Sequence, residues 1–136
     1  MGYTHYYRAP HFTADVMAAI SKDCKKLCTA AGVKLGDYGG EGKPKFTPTE
    51  VSFNGDASVG DNHETFQISA KMADFEFCKT ARKPYDLCVT ACLIALKHHV
   101  PDARVSSDGG SGNWQAARDL CTKVLGYGAD FSLPND

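Results

Sequence analysis

Leu87, Cys88, Val89, Ala91, Cys92, Leu93, Ile94, Ala95 and Leu96 constrain this chain most, because together they make a helix apolar almost all the way round. A helix with no polar face must be covered on several sides, so it has to stand at the centre of its domain. Pro84 suits the first turn, where its missing N–H has no partner to lose, and Asp86 follows where the helix dipole favours an acid. The helix is predicted from about Pro84 to His99, with His98 and His99 capping an end that favours positive charge.

The cover comes from both sides of that helix in the sequence. Thr13 reads as a cap, and Val16, Met17, Ile20, Cys24, Leu27, Cys28 and Ala31 recur at helical spacing before Gly32. Asn113 reads as the cap of a last helix, with Trp114, Ala117, Leu120, Cys121, Val124 and Leu125 on one stripe before Gly126. Period-two alternation marks strands at Val51 and Phe53, at Phe66, Ile68 and Ala70, and at Phe75 and Phe77, with a weaker one from Ala103 to Ser107. The expectation is an α+β fold: a small, mainly antiparallel sheet of three to four strands packed with three helices, one central and buried. At 136 residues the chain fits a single domain, 1–136. The glycine- and proline-rich stretch 35–48 reads as a long mobile loop, and the tail 127–136 as loosely ordered.

Charge and cysteine usage exclude several functions. Lys and Arg nearly balance Asp and Glu at a net charge of -1, which argues against a duplex-binding surface. No apolar run reaches membrane-spanning length and the N-terminus lacks the pattern of a signal peptide, so no membrane association and a cytoplasmic location are expected. The six cysteines fall on predicted helices or in a strand without zinc-type spacing, which fits reduced core thiols and no metal. No cofactor motif is present, and GxxxxGK[ST] is missing. Self-association into a homo-oligomer remains compatible with the pattern.

The chemistry concentrates at Cys78-Lys79-Thr80-Ala81-Arg82-Lys83-Pro84-Tyr85-Asp86. Lys79, Thr80, Arg82 and Lys83 stand between a strand end and a helix start, where free backbone amides and the helix dipole favour an anion. Near the N-terminus, Tyr3, His5, Tyr6, Tyr7 and Arg8 crowd an extended segment expected to form an edge strand, with Thr4, Tyr6 and Arg8 on one face and Tyr3, His5 and Tyr7 on the other. His5 can move a proton near neutral pH and tyrosines can stack on bases. Glu64 and Asp108, at strand ends, could act as a general base or hold a ribose hydroxyl.

The opening Met1-Gly2-Tyr3-Thr4-His5-Tyr6, the run Phe77 to Asp86, and Ser106-Ser107-Asp108-Gly109 followed by Trp114 resemble a family of small, largely uncharacterised phage and prophage proteins. Tyr7 departs from that family, many members of which carry Trp there. The resemblance implies a counter-defence setting in the host cell cytoplasm and a small anionic nucleotide-type ligand, such as a cyclic oligonucleotide or an ADP-ribose derivative. Its phosphates would meet Lys79, Arg82 and Lys83, and its bases Tyr3, Tyr6 or Tyr85; His5, Thr80 and Asp108 complete the candidate site. Three functions follow as expectations: sequestration of the signal; metal-independent phosphodiester cleavage, with His5 transferring a proton and Glu64 orienting the nucleophile; or inhibition of a protein through the glycine-rich loop around Gly39.

Overall fold

A computed structural model describes residues 2–72 and 74–134. In chain order it contains β1 (Thr4–Arg8), α1 (Ala14–Ala31), β2 (Leu35–Gly36), β3 (Lys45–Thr47), β4 (Glu50–Gly55), β5 (Phe66–Ser69), β6 (Glu76–Lys79), α2 (Asp86–His99), β7 (Arg104–Ser107) and α3 (Gln115–Leu125). The α+β expectation holds, with three helices and antiparallel strand pairing. The strands, however, divide between two sheets, ordered β6-β1-β7 and β2-β4-β3 with β5 also paired to β4.

α2 occupies the centre. Cys88 through Leu96 are all buried, and the helix packs against α1 and α3 and touches β7. Thiols fill much of the α1–α2 seam: Cys28 and Cys92 bring their sulfurs to 3.8 Å, and all six cysteines are free and buried. Hydrogen bonding from Cys88, then Cys92, pulls the Cys28 thiol down, whereas burial pushes Cys92 well up. At the far end, His99 Nε2 lies 2.7 Å from Asp23 of α1, while His98 stacks on Tyr127 at 3.7 Å. These histidines therefore tie the helix to its neighbours, a role beyond capping.

Thr13 caps α1 as expected, its hydroxyl accepting from the Val16 amide at 3.2 Å, and Gly32 ends it in a left-handed conformation. For α3 the cap moves: Asn113 accepts from the Gly110 amide within a short 3-10 turn, and Trp114 takes the N-cap position.

Three sequence expectations are corrected. The N-terminal segment is no edge strand: β1 sits between β6 and β7, because Cys78 and Ser107 both pair with His5. The stretch 35–48 contains β2 and β3, both paired to β4, and Asp37 gathers the Gly39 and Glu41 amides between them. The tail packs rather than hanging loose: Phe131 stacks on Trp114 at 5.2 Å, and Leu133 is only 4% exposed. Residues 135 and 136 of that tail lie outside the described residues.

The two sheets meet through aromatic packing. Tyr7 of β1 leans on Phe66 of β5 at 5.4 Å and donates its hydroxyl to the Gln67 carbonyl at 2.7 Å. This contact fixes how β1 enters the core, and hence which of its residues face outward.

Candidate functional site

Alternation along β1 divides the site into an inner and an outer layer. His5 and Tyr7 point into the core, while Thr4, Tyr6 and Arg8 face outward, as the sequence pattern predicts.

The inner layer is a polar cluster around His5, whose side chain is 0% exposed. Its Nε2 lies 2.6 Å from Asp86 Oδ1, and its Nδ1 lies 2.8 Å from Ser107 Oγ. In the neutral imidazole, with Asp86 accepting at Nε2, Nδ1 accepts the Ser107 hydroxyl. Ser107 Oγ also takes the Gly109 amide at 3.0 Å, and Thr80 donates its hydroxyl to the same Asp86 oxygen at 2.6 Å. The rings of Tyr3 and Trp114 stand edge-on to the imidazole at 4.9 and 5.1 Å, excluding water from it. One residue therefore ties the first turn of α2 to the end of β7 through β1.

Asp86 is what that cluster holds, and with it the turn from Lys79 to Asp86. Lys83 donates its amide to the Thr80 carbonyl at 3.0 Å, and Ala81 and Arg82 between them have φ of 52° and 60°. This is a type I′ turn, a form dominated by Gly, Asn and Asp, made here from residues with a side-chain penalty. It persists because Thr80 and Ala81 both donate their amides to the Tyr3 carbonyl, at 3.1 and 3.2 Å. The outcome is positional: the Arg82 guanidinium lies 3.9 Å over the Tyr3 ring, with Arg82 itself exposed.

The turn differs from a phosphate cradle in one respect. The amides of Thr80, Ala81, Lys83 and Asp86 all have backbone acceptors, and Asp86 places its own carboxylate at the helix start. The cationic side chains, not those amides, are what the turn offers an anion.

Other nominated residues fall on both sides of this boundary. Lys79 pairs with Thr4, and a Cβ on Gly2 would meet the Lys79 chain at 2.6 Å, so the lysine runs along the N-terminus. Asp108 accepts from the Thr4 amide at 3.1 Å and from the Tyr6 hydroxyl at 2.9 Å, and that bond raises the Tyr6 pKa. Lys79, Tyr6 and Asp108 thus lie on the outer side of β1, while Arg82 stands over Tyr3, whose ring belongs to the inner layer. Tyr85 does not join them: it is 0% exposed and donates its hydroxyl to the Glu64 carbonyl at 2.6 Å, so no base can stack on it. Glu64 is occupied as well, its carboxylate taking the Lys79 amide at 2.6 Å.

Sequence reasoning missed Asp86 and Ser107 as partners of His5. It also missed Phe75 and Phe77, 56% and 54% exposed, although their alternation with Glu76 and Cys78 was itself the signal. Phe75 stacks on Tyr6 with centroids 5.9 Å apart and planes at 26°. No family model matches this chain, and neither does any curated protein or solved structure. Among the described residues no helix is long and apolar enough to cross a membrane.

Proposed function

We propose that this chain binds and sequesters a nucleotide-derived anionic signal, with Arg82 and Lys79 on phosphate and Tyr6 beneath a base. The observation that carries this reading is the Lys79–Asp86 turn, in which unfavourable backbone at Ala81 and Arg82 is maintained to hold an exposed guanidinium against Tyr3. Lys83 adds a third cation within the turn. A guanidinium presents a fork of donors matched to phosphate oxygens, and here its orientation is set before a ligand arrives. In the phage setting that the sequence resemblance implies, such a protein would act in the host cytoplasm by depleting an immune messenger, either a cyclic oligonucleotide or an ADP-ribose derivative.

Holding is favoured over cleavage because the groups nominated for cleavage have other work. His5 is enclosed with both ring nitrogens engaged, and Glu64 accepts a backbone amide. One observation favours the second reading: Ser107, His5 and Asp86 form a hydrogen-bonded series of the kind that activates a hydroxyl nucleophile.

Incubation with cyclic nucleotides and ADP-ribose derivatives, followed by heat denaturation and chromatography of the supernatant, separates these readings. Intact ligand recovered from the protein supports sequestration, and product supports cleavage. No interaction with any compound rejects both and leaves inhibition of a protein through the loop around Gly39. Arg82→Ala should weaken binding by about 1.5–3 kcal/mol, the worth of a charge-assisted contact. Unchanged affinity would reject this placement of the site.

A further inference from the structure

We infer that the ligand is an oligonucleotide of at least two residues, laid along the open face of the sheet β6-β1-β7. The inference rests on the turn as a phosphate contact and narrows the ligand class. Three observations on that face carry it.

First, the register arranges the face in order. Lys79 stands beside Thr4, Phe77 and Ser106 flank Tyr6, and Arg104 lies directly opposite Arg8. Residues directly opposite on neighbouring strands share a face, so a cation marks one end, aromatic rings the middle, and a pair of arginines the other end.

Second, the rings form a row. Phe75 lies 5.9 Å from Tyr6 and 6.0 Å from Phe77, centroid to centroid. Phenylalanines more than half exposed in such a row are a stacking platform that accepts any base, since every base has a π-face.

Third, Arg8 and Arg104 are like charges placed opposite each other, an arrangement that destabilises a sheet unless an anion joins them. Among the described residues neither closes an ion pair, although Asp74 and Asp102 border the same cleft. A groove of about 670 Å³ opens beside them, lined in part by Tyr6, Phe75, Ser106 and Phe131. That volume is within the range of small-molecule sites.

Length then selects the ligand. From Thr4 to Arg8 the strand advances about 13 Å, at roughly 3.3 Å per residue. A mononucleotide has one phosphate-bearing end, and the two phosphates of ADP-ribose are adjacent, so neither engages both cationic ends. A 5′-phosphorylated or cyclic dinucleotide carries two phosphates separated by a sugar, which the long Lys79, Arg8 and Arg104 side chains reach from the two ends, and it supplies a second base for the row. The Asp108 carboxylate, which meets both the Thr4 amide and the Tyr6 hydroxyl, repels phosphate on the β7 side of β1 and suits a ribose hydroxyl or a base N–H there, leaving phosphate to the Lys79 side.

The test is a titration of the intact protein with a mononucleotide, ADP-ribose, a 5′-phosphorylated linear dinucleotide, a cyclic dinucleotide and a longer single strand. Either dinucleotide should bind at least tenfold more tightly than the mononucleotide, and whichever is tighter identifies a linear or cyclic source. Replacing Arg8 and Arg104 together with Ala should remove most of that gain and leave mononucleotide binding unchanged, as should Phe77→Ala alone; all three side chains are exposed, and circular dichroism checks the fold. Arg82→Ala should weaken every ligand. Mononucleotide binding that depends on Arg82 but shows no gain with length, or ADP-ribose as the tightest ligand, overturns the inference and spares the proposed site. No binding by any nucleotide overturns both.

Discussion

Ala81 and Arg82 have the backbone of glycines without being glycines. The left-handed conformation costs an L-residue about 1–2 kcal/mol, whereas glycine avoids that cost but loses about 0.5–1 kcal/mol of chain entropy. Ala81→Gly is therefore expected to be neutral or to stabilise by up to about 1.5 kcal/mol, read from urea denaturation. Arg82→Gly relieves the same conformation but removes the guanidinium from Tyr3, so it should leave stability nearly intact and reduce nucleotide affinity. A fall in stability for Ala81→Gly would mean that the turn is not strained. His5 gives the opposite result. His5→Ala empties a fully buried position and takes one hydrogen bond each from the half-buried Asp86 and Ser107, which keep Thr80 and the Gly109 amide, at about 0.5–1.5 kcal/mol for each hydrogen bond lost. Thermal unfolding should fall well below that of the parent even where ligand binding persists.

At the scale of elements, the loop between β2 and β3 shows what the sequence could and could not disclose. Glycines and prolines in 35–48 marked irregular chain correctly, but strands of two and three residues carry too few side chains for a period to show. Their pairing is dictated by β4, whose own alternation was legible. Asp37 organises the intervening turn, and the amides of Glu41 and then Gly39 hold its carboxyl below the usual carboxylate range. Because its folded pKa is depressed, its contribution is complete above the unfolded value of about 3.9 and disappears as pH falls through the lower folded value. Amide hydrogen exchange at Gly39 and Glu41 should accelerate relative to β4 on acidification across that window, and Asp37→Ala should abolish the pH dependence. The helices were readable because Thr13, Gly32 and Gly126 act locally, whereas Pro84, expected in the first turn of α2, precedes its N-cap Tyr85. The clasp of His5, Asp86 and Ser107 was not, since its members are 81 and 102 positions apart from His5 and nothing local records that separation.

For the whole molecule, the decisive question is whether one cooperative unit carries both the site and its walls. α2 needs cover on every side, and the tail supplies part of it at a distance: Phe131 lies on Trp114, Arg118 donates to the Phe131 carbonyl at 3.2 Å, and Leu133 donates its amide to Ser111 at 2.9 Å. Trp114 in turn stands against His5, so the tail supports the inner cluster from behind. Phe131 and Leu133 also line the groove beside Tyr6. If the tail belongs to the core, Leu133→Ala should destabilise by about 2–5 kcal/mol, with a single urea transition and an unchanged slope. It should also weaken dinucleotide binding, because the groove loses a wall, while the Arg82 contact with a mononucleotide survives. A change within about 0.5 kcal/mol, the range of an ordinary surface substitution, would detach the tail from the cooperative unit and return the groove to open surface.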